Sequence, residues 1–211
     1  MKYDLKATSI IEAMVVLLIV VTGIIGVYGL LNSSQRLANS TGNRIEAISI
    51  ARDGLESFSN IRDTNWIRFS ADTRNCWNVL NYNINCLGNS TTTYDIRSLA
   101  NQSYSIYRNA QNQFELSLKS NLGDFDTPSY RNDFKVQKDA RGFYTQSGGV
   151  DINPLYTREI IVEYIEDTNS DASINSNDAK MRVSSLVQWR DVGNENIKTL
   201  TLQTVLTNWY K

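Results

Sequence analysis

Glu12 lies inside the run 8–31, TSIIEAMVVLLIVVTGIIGVYGLL, and it is the only charge there. Placing a carboxylate among apolar residues in a membrane costs about 3 kcal/mol on insertion scales. It therefore asks for a cationic partner, or for a place at the headgroup level where the helix N-terminus favours an acid. Cys76 and Cys86 are the only cysteines and enclose nine residues, WNVLNYNIN. In an oxidising compartment that spacing reads as a disulfide closing a short loop; in a reducing one it reads as two thiols.

A third set of residues has the spacing of a cation site. Asp167, Asn169, Asp171, Ser173, Asn175 and Asp178 fall at positions 1, 3, 5, 7, 9 and 12 of an EF-hand-type loop, with Ile174 at the usual apolar position. Ser173 would offer its carbonyl and Asn175 a bridging water. Oxygen donors with three carboxylates suit Ca²⁺, the cofactor this spacing implies. The loop resembles that of dockerins more than that of calmodulin, because position 12 is Asp. Ala172 stands where such loops carry Gly. The other reading is an Asx-rich solvated turn.

The composition excludes much else. The chain has no histidine, which removes Ser-His-Asp and Cys-His catalysis and every His-containing zinc or non-haem iron site. Two cysteines cannot make a Cys₄ site. The net charge is −1, so no basic excess points to nucleic acid. Carboxylate chemistry stays open in principle, but no acidic pair stands in a catalytic context. The expectation is a protein that is not an enzyme.

The elements that position these residues follow from periodicity. About 20 apolar residues suffice to cross a bilayer, so 8–31 is long enough to span. The run is longer than a signal-peptide core and no A-x-A-like site follows it. Beyond it, Ile45, Ile48, Ala51, Leu55, Phe58 and Ile61 recur at three- and four-residue steps as one apolar stripe. No proline interrupts residues 9–63, although Gly42 and Gly54 each weaken a helix by about 1 kcal/mol. One helix of some 50 residues, on the order of 80 Å long, is predicted. The remainder reads as strands. Residues 104–107 and 114–119 flank a polar turn, as do 134–137 and 142–145. REIIVEYI, KMRVSSLVQW and IKTLTLQTVL form an antiparallel meander. The fold class is α+β, a long N-terminal helix packed across an antiparallel sheet. The organisation reads as a short head 1–7, a membrane half 8–31, an amphipathic half 32–63 and a β-rich domain 64–211.

The run Ala7-Thr8-Ser9-Ile10-Ile11-Glu12, ahead of a long apolar helix, resembles the cleavage and methylation motif of type IV prepilins. ARDGLESFSNIRDTNW (51–66) and the terminal pattern VQW…TLQTVLTNW resemble bacterial minor-pilin-like proteins. The resemblance implies a leader 1–7 removed by an inner-membrane prepilin peptidase, with Ala7 last in the leader and Thr8 first in the mature chain. Glu12 is then the fifth mature residue and the assembly residue. The family usually has Gly where Ala7 stands and often Phe where Thr8 stands, and many members carry a helix proline that is absent here. The resemblance implies a type IV pilin-like fold and a non-enzymatic minor pilin or pseudopilin of a type IV pilus or type II secretion-like filament. Its partners would be other pilin subunits and, before assembly, inner-membrane lipid, with the head outside the cytoplasm. The alternative is a signal-anchored extracellular binding or adhesion domain that never polymerises.

Overall fold

The computed structural model describes residues 10–88, 103–119, 124–166, 170, 172–174, 178–191 and 196–208. The chain divides into two compact units, residues 1–42 and 43–211. Helix α1 (Ile10–Arg68) begins in the first and ends in the second.

From Ala13 to Leu31 α1 is apolar around its whole circumference, and every residue from 10 to 39 is exposed. It is the one helix among the described residues long and apolar enough to cross a membrane. Thr22 keeps its hydroxyl satisfied by donating to the carbonyls of Leu18 and Ile19, at 2.9 and 3.0 Å.

The second unit is a helix on a sheet. After α1 come α2 (Thr73–Cys76), β1 (Ser103–Arg108), β2 (Phe114–Lys119) and α3 (Pro128–Phe134). Then follow β3 (Gln137–Lys138), β4 (Tyr144–Thr145), β5 (Val150–Asp151), β6 (Tyr156–Tyr164), β7 (Lys180–Arg190) and β8 (Ile197–Thr207). The main sheet has the order β2-β1-β6-β7-β8, with every neighbour antiparallel. The meander β6-β7-β8 and the hairpin β1-β2 stand where alternation places them. The small sheet β4-β3-β5 is shorter than expected: Phe134 ends α3 instead of starting a strand. Pro128 at the first turn of α3 suits a helix start, and the buried Tyr130 and Phe134, four apart, share one face.

The helix face that meets the sheet keeps Ala51, Phe58 and Ile61 of the expected stripe and leaves Ile45 out. Ile45 is 61% exposed, while Ala47, Ile50, Ala51, Gly54, Ser57, Phe58 and Ile61 are buried. Small residues make the seam because the sheet comes close. A Cβ on Gly54 would stand 2.9 Å from Ser185 Oγ and 3.0 Å from Arg158 Cδ. Gly54 costs helix propensity and returns it as close packing.

Arg158 of β6 is fully buried under this seam. Its guanidinium donates to Asp53 Oδ2 at 2.6 Å and to the Ile50 carbonyl at 3.3 Å, both on α1. Burial pulls its pKa below the ordinary arginine value, against the opposing pull of Asp53. Removing Asp53 leaves a buried charge without its counter-ion. Asp53→Ala is expected to cost about 3 kcal/mol, discounted because Asp53 is partly exposed. The double change Asp53→Ala/Arg158→Met is expected to cost less than the single one. Urea unfolding of the full chain in detergent measures both; equal losses would contradict the ion pair's role.

Candidate assembly helix and its flanking sites

Glu12 sits in the first turn of α1, where the helix dipole favours an acid, and it is exposed. Around it Ile10, Ile11 and Met14 are 80, 72 and 64% exposed. Among the described residues no cation lies within ion-pair distance of its carboxylate. A partner for that charge has to come from outside them. Ala7 and Thr8, the cleavage pair implied by the resemblance, lie outside the described residues.

Cys76 and Cys86 are joined by a disulfide with their Cα atoms 5.3 Å apart. Both are buried. Ten residues of separation close a loop that ties the end of α1 to an edge of the sheet, and the asparagines make most of the ties. Asn65 of α1 donates to the carbonyls of Trp77 and Val79, at 3.2 and 3.0 Å. Asn81 donates to the Leu116 carbonyl at 3.1 Å and accepts from the Leu116 N–H at 3.0 Å, behaving as a strand neighbour would. Tyr82 donates its hydroxyl to the Phe114 carbonyl at 2.7 Å. Asp72 caps α2 and accepts from the Gly88 N–H at 2.6 Å, just past Cys86. Desolvation pushes its pKa up, and the hydrogen bonds from Asn75 and Gly88 outweigh that and hold it below the usual carboxylate range. The abundance of asparagine in this loop is visible in the sequence. Its use as a backbone mimic is not, because that depends on β2 lying alongside.

Of the six expected calcium ligands, Asp167, Asn169, Asp171 and Asn175 lie outside the described residues. Ser173 is exposed and Asp178 is fully buried where the loop re-enters β7. Ala172 has φ +66°, the left-handed region. That is the conformation for which EF-hand loops place Gly at this position. Among the described residues no group of three or more His, Cys, Asp or Glu converges on one point.

One buried polar cluster carries no signal in the sequence. Glu159 of β6 accepts from the Tyr130 hydroxyl at 2.7 Å and from the Ser103 hydroxyl. Burial and the adjacent carboxylate push the Tyr130 pKa far up, so it stays a neutral donor. The three residues come from three separate elements, and together they pin α3 and β1 to β6.

Comparison of the chain with protein-family models, with curated proteins and with solved structures finds no match in any of the three.

Proposed function

We propose that the chain is a structural subunit, a minor pilin or pseudopilin, of a type IV pilus or type II secretion-like filament. The observation that carries this reading is α1 itself. Its first half exposes apolar side chains on all sides and holds one carboxylate, Glu12, in its first turn. The antiparallel-sheet head packs on the second half, from Ala47 onward. A helix of this kind rests in lipid before assembly and among like helices afterwards.

In this reading the prepilin peptidase cuts between Ala7 and Thr8. The cut creates an α-amino group five residues before the chain reaches the full apolar run. The Glu12 carboxylate of one subunit then pairs with the Thr8 amine of its neighbour. A charge pair in an apolar medium costs far less than either charge alone, so the pair sets the stagger between subunits. Glu12→Ala is expected to leave the chain in the membrane of a piliated host and to remove it from sheared filaments. Immunodetection in the two fractions reads this directly. A Glu12→Ala chain that enters filaments as the wild type does, or a wild type absent from them, contradicts the reading.

The left-handed backbone of Ala172 supports a second feature, Ca²⁺ bound by the loop 167–178 of the head. Calcium alone, at the millimolar levels such extracellular sites respond to, is expected to raise the Tm of the full chain. Asp171→Ala is expected to abolish that rise. Ala172→Gly is expected to shift it to lower calcium, because glycine adopts a positive φ without penalty. A wild-type Tm indifferent to calcium removes this feature.

A further inference from the structure

The main sheet has two edges, and they are treated differently. The outer groups of β2 are occupied: Asn81 satisfies both backbone groups of Leu116, and Tyr82 satisfies the Phe114 carbonyl. The loop closed by Cys76 and Cys86 therefore blocks that edge to any further strand. Among the described residues the opposite edge, β8, has no further strand beside it. Asn208 donates its N–H to the Ala179 carbonyl at 2.7 Å, and the register continues without a bulge through Lys180↔Thr207 to Arg190↔Ile197. In an antiparallel ladder alternate residues turn both backbone groups toward the partner. Lys198, Leu200, Leu202, Thr204 and Leu206 turn theirs to β7, so Thr199, Thr201, Gln203 and Val205 turn theirs outward. Those four are exposed, and among the described residues their outward N–H and C=O groups have no partner. The strand has eleven residues, one charge (Lys198) and no proline, so it lacks the usual protections of an edge.

A charged wall stands beside this edge. Arg52, Glu56 and Asp63 of α1, with Leu55, line an open groove whose other side is Leu202 and Thr204 of β8. This part of α1 runs in the same direction as β8. Asn43 donates to Asp191 at 2.8 Å at one end, and Asn208 donates to the Thr73 carbonyl at 3.4 Å beyond the other. Asp63 is held by Arg62 of the same helix at 2.8 Å, so along β8 the wall reads positive at Arg52 and negative at Glu56.

We propose that an extended segment of a different protein joins the sheet here as a sixth strand, antiparallel to β8. Its outward-pointing partners are the four open backbone residues, and the wall selects its side chains. From Arg52 to Glu56 is about 6 Å at 1.5 Å per helix residue, or about two strand residues. Side chains on one face of a strand recur at even spacing. The occupant therefore carries a basic residue facing Glu56 and an acidic residue facing Arg52 two positions after it. Main-chain hydrogen bonds supply the affinity and the wall the specificity. A second copy of this chain is a poorer occupant. Antiparallel pairing of β8 with itself sets residues 43–68 of the two copies in opposite directions, whereas filament subunits share one direction; this last step rests on the filament reading.

The test uses the full chain in detergent and two capped synthetic peptides. One is Thr-Val-Thr-Lys-Thr-Glu-Thr, and the other has its Lys and Glu exchanged. Hydrogen exchange is expected to slow at the amides of Thr199, Thr201, Gln203 and Val205 when the first peptide is added, and to stay unchanged at Leu200, Leu202 and Thr204. The exchanged peptide is expected to bind about fivefold more weakly. Gln203→Pro removes one outward N–H and leaves the bonds to β7, so it is expected to abolish binding with Tm little changed. If that variant does not fold, the double change Arg52→Glu/Glu56→Arg is expected to bind the exchanged peptide better than the first. Slowing at none of the four amides, or equal binding of both peptides, overturns the proposal. Self-association of the chain that Gln203→Pro abolishes also overturns it, by giving the edge to a second copy. None of these outcomes bears on processing before Thr8, which tests the filament reading separately.

Discussion

A helix that exposes apolar side chains around its whole circumference has to be covered by something other than its own chain. From Ile10 to Leu31 every residue of α1 is exposed, and the hydrophobic effect makes that surface untenable in water. Lipid or neighbouring apolar helices satisfy it, because both bury the side chains while the backbone bonds to itself. Glu12 turns this general requirement into a specific one. A lone carboxylate at one end of an apolar cylinder fixes where along the helix a compensating charge must stand.

The second half of α1 meets the opposite constraint. It has to pack tightly enough on a sheet to hold the head in one place, and it does so with small residues and one buried charge. Gly54 lets Ser185 and Arg158 approach to distances that a side chain would forbid. Arg158 then reaches Asp53 and the Ile50 carbonyl, so helix and sheet are joined by polar bonds at the centre of an otherwise apolar contact. The disulfide loop performs the same service at the end of α1, where Asn65, Asn81 and Tyr82 connect the helix to the β2 edge. One consequence is an asymmetric sheet, occupied along β2 and, among the described residues, without a further neighbour along β8.

Much of this is legible in the sequence. The apolar run, the helix that continues from it and the final meander are long periodic signals, and strands β6, β7 and β8 fall where alternation puts them. The buried face of α1 is legible at Ala51, Phe58 and Ile61, whereas Ala47, Gly54 and Ser57 are not, since periodicity weighs large apolar residues. The helix α3 leaves no mark, because PSYRNDF is too short to show a helical period, and only its last residue, Phe134, reads as the start of a strand. Arg158 looks like any polar residue on a strand until Asp53 is placed above it. The cluster of Glu159, Tyr130 and Ser103 depends on elements far apart in the chain and leaves no local mark. Of the candidate sites, Glu12 was legible as a misplaced charge and the cysteines as a close pair. The loop 167–178 was legible as a spacing, and Ala172 adds a backbone conformation to it.

The account rests on α1 being an assembly helix whose free amine is made by proteolysis. The intact mass of the chain, extracted from membranes of a piliated host, tests that claim most directly. The account predicts a mature chain that begins at Thr8, with or without an added methyl group. A chain that still begins at Met1 would contradict it and leave α1 as the anchor of a domain that does not polymerise.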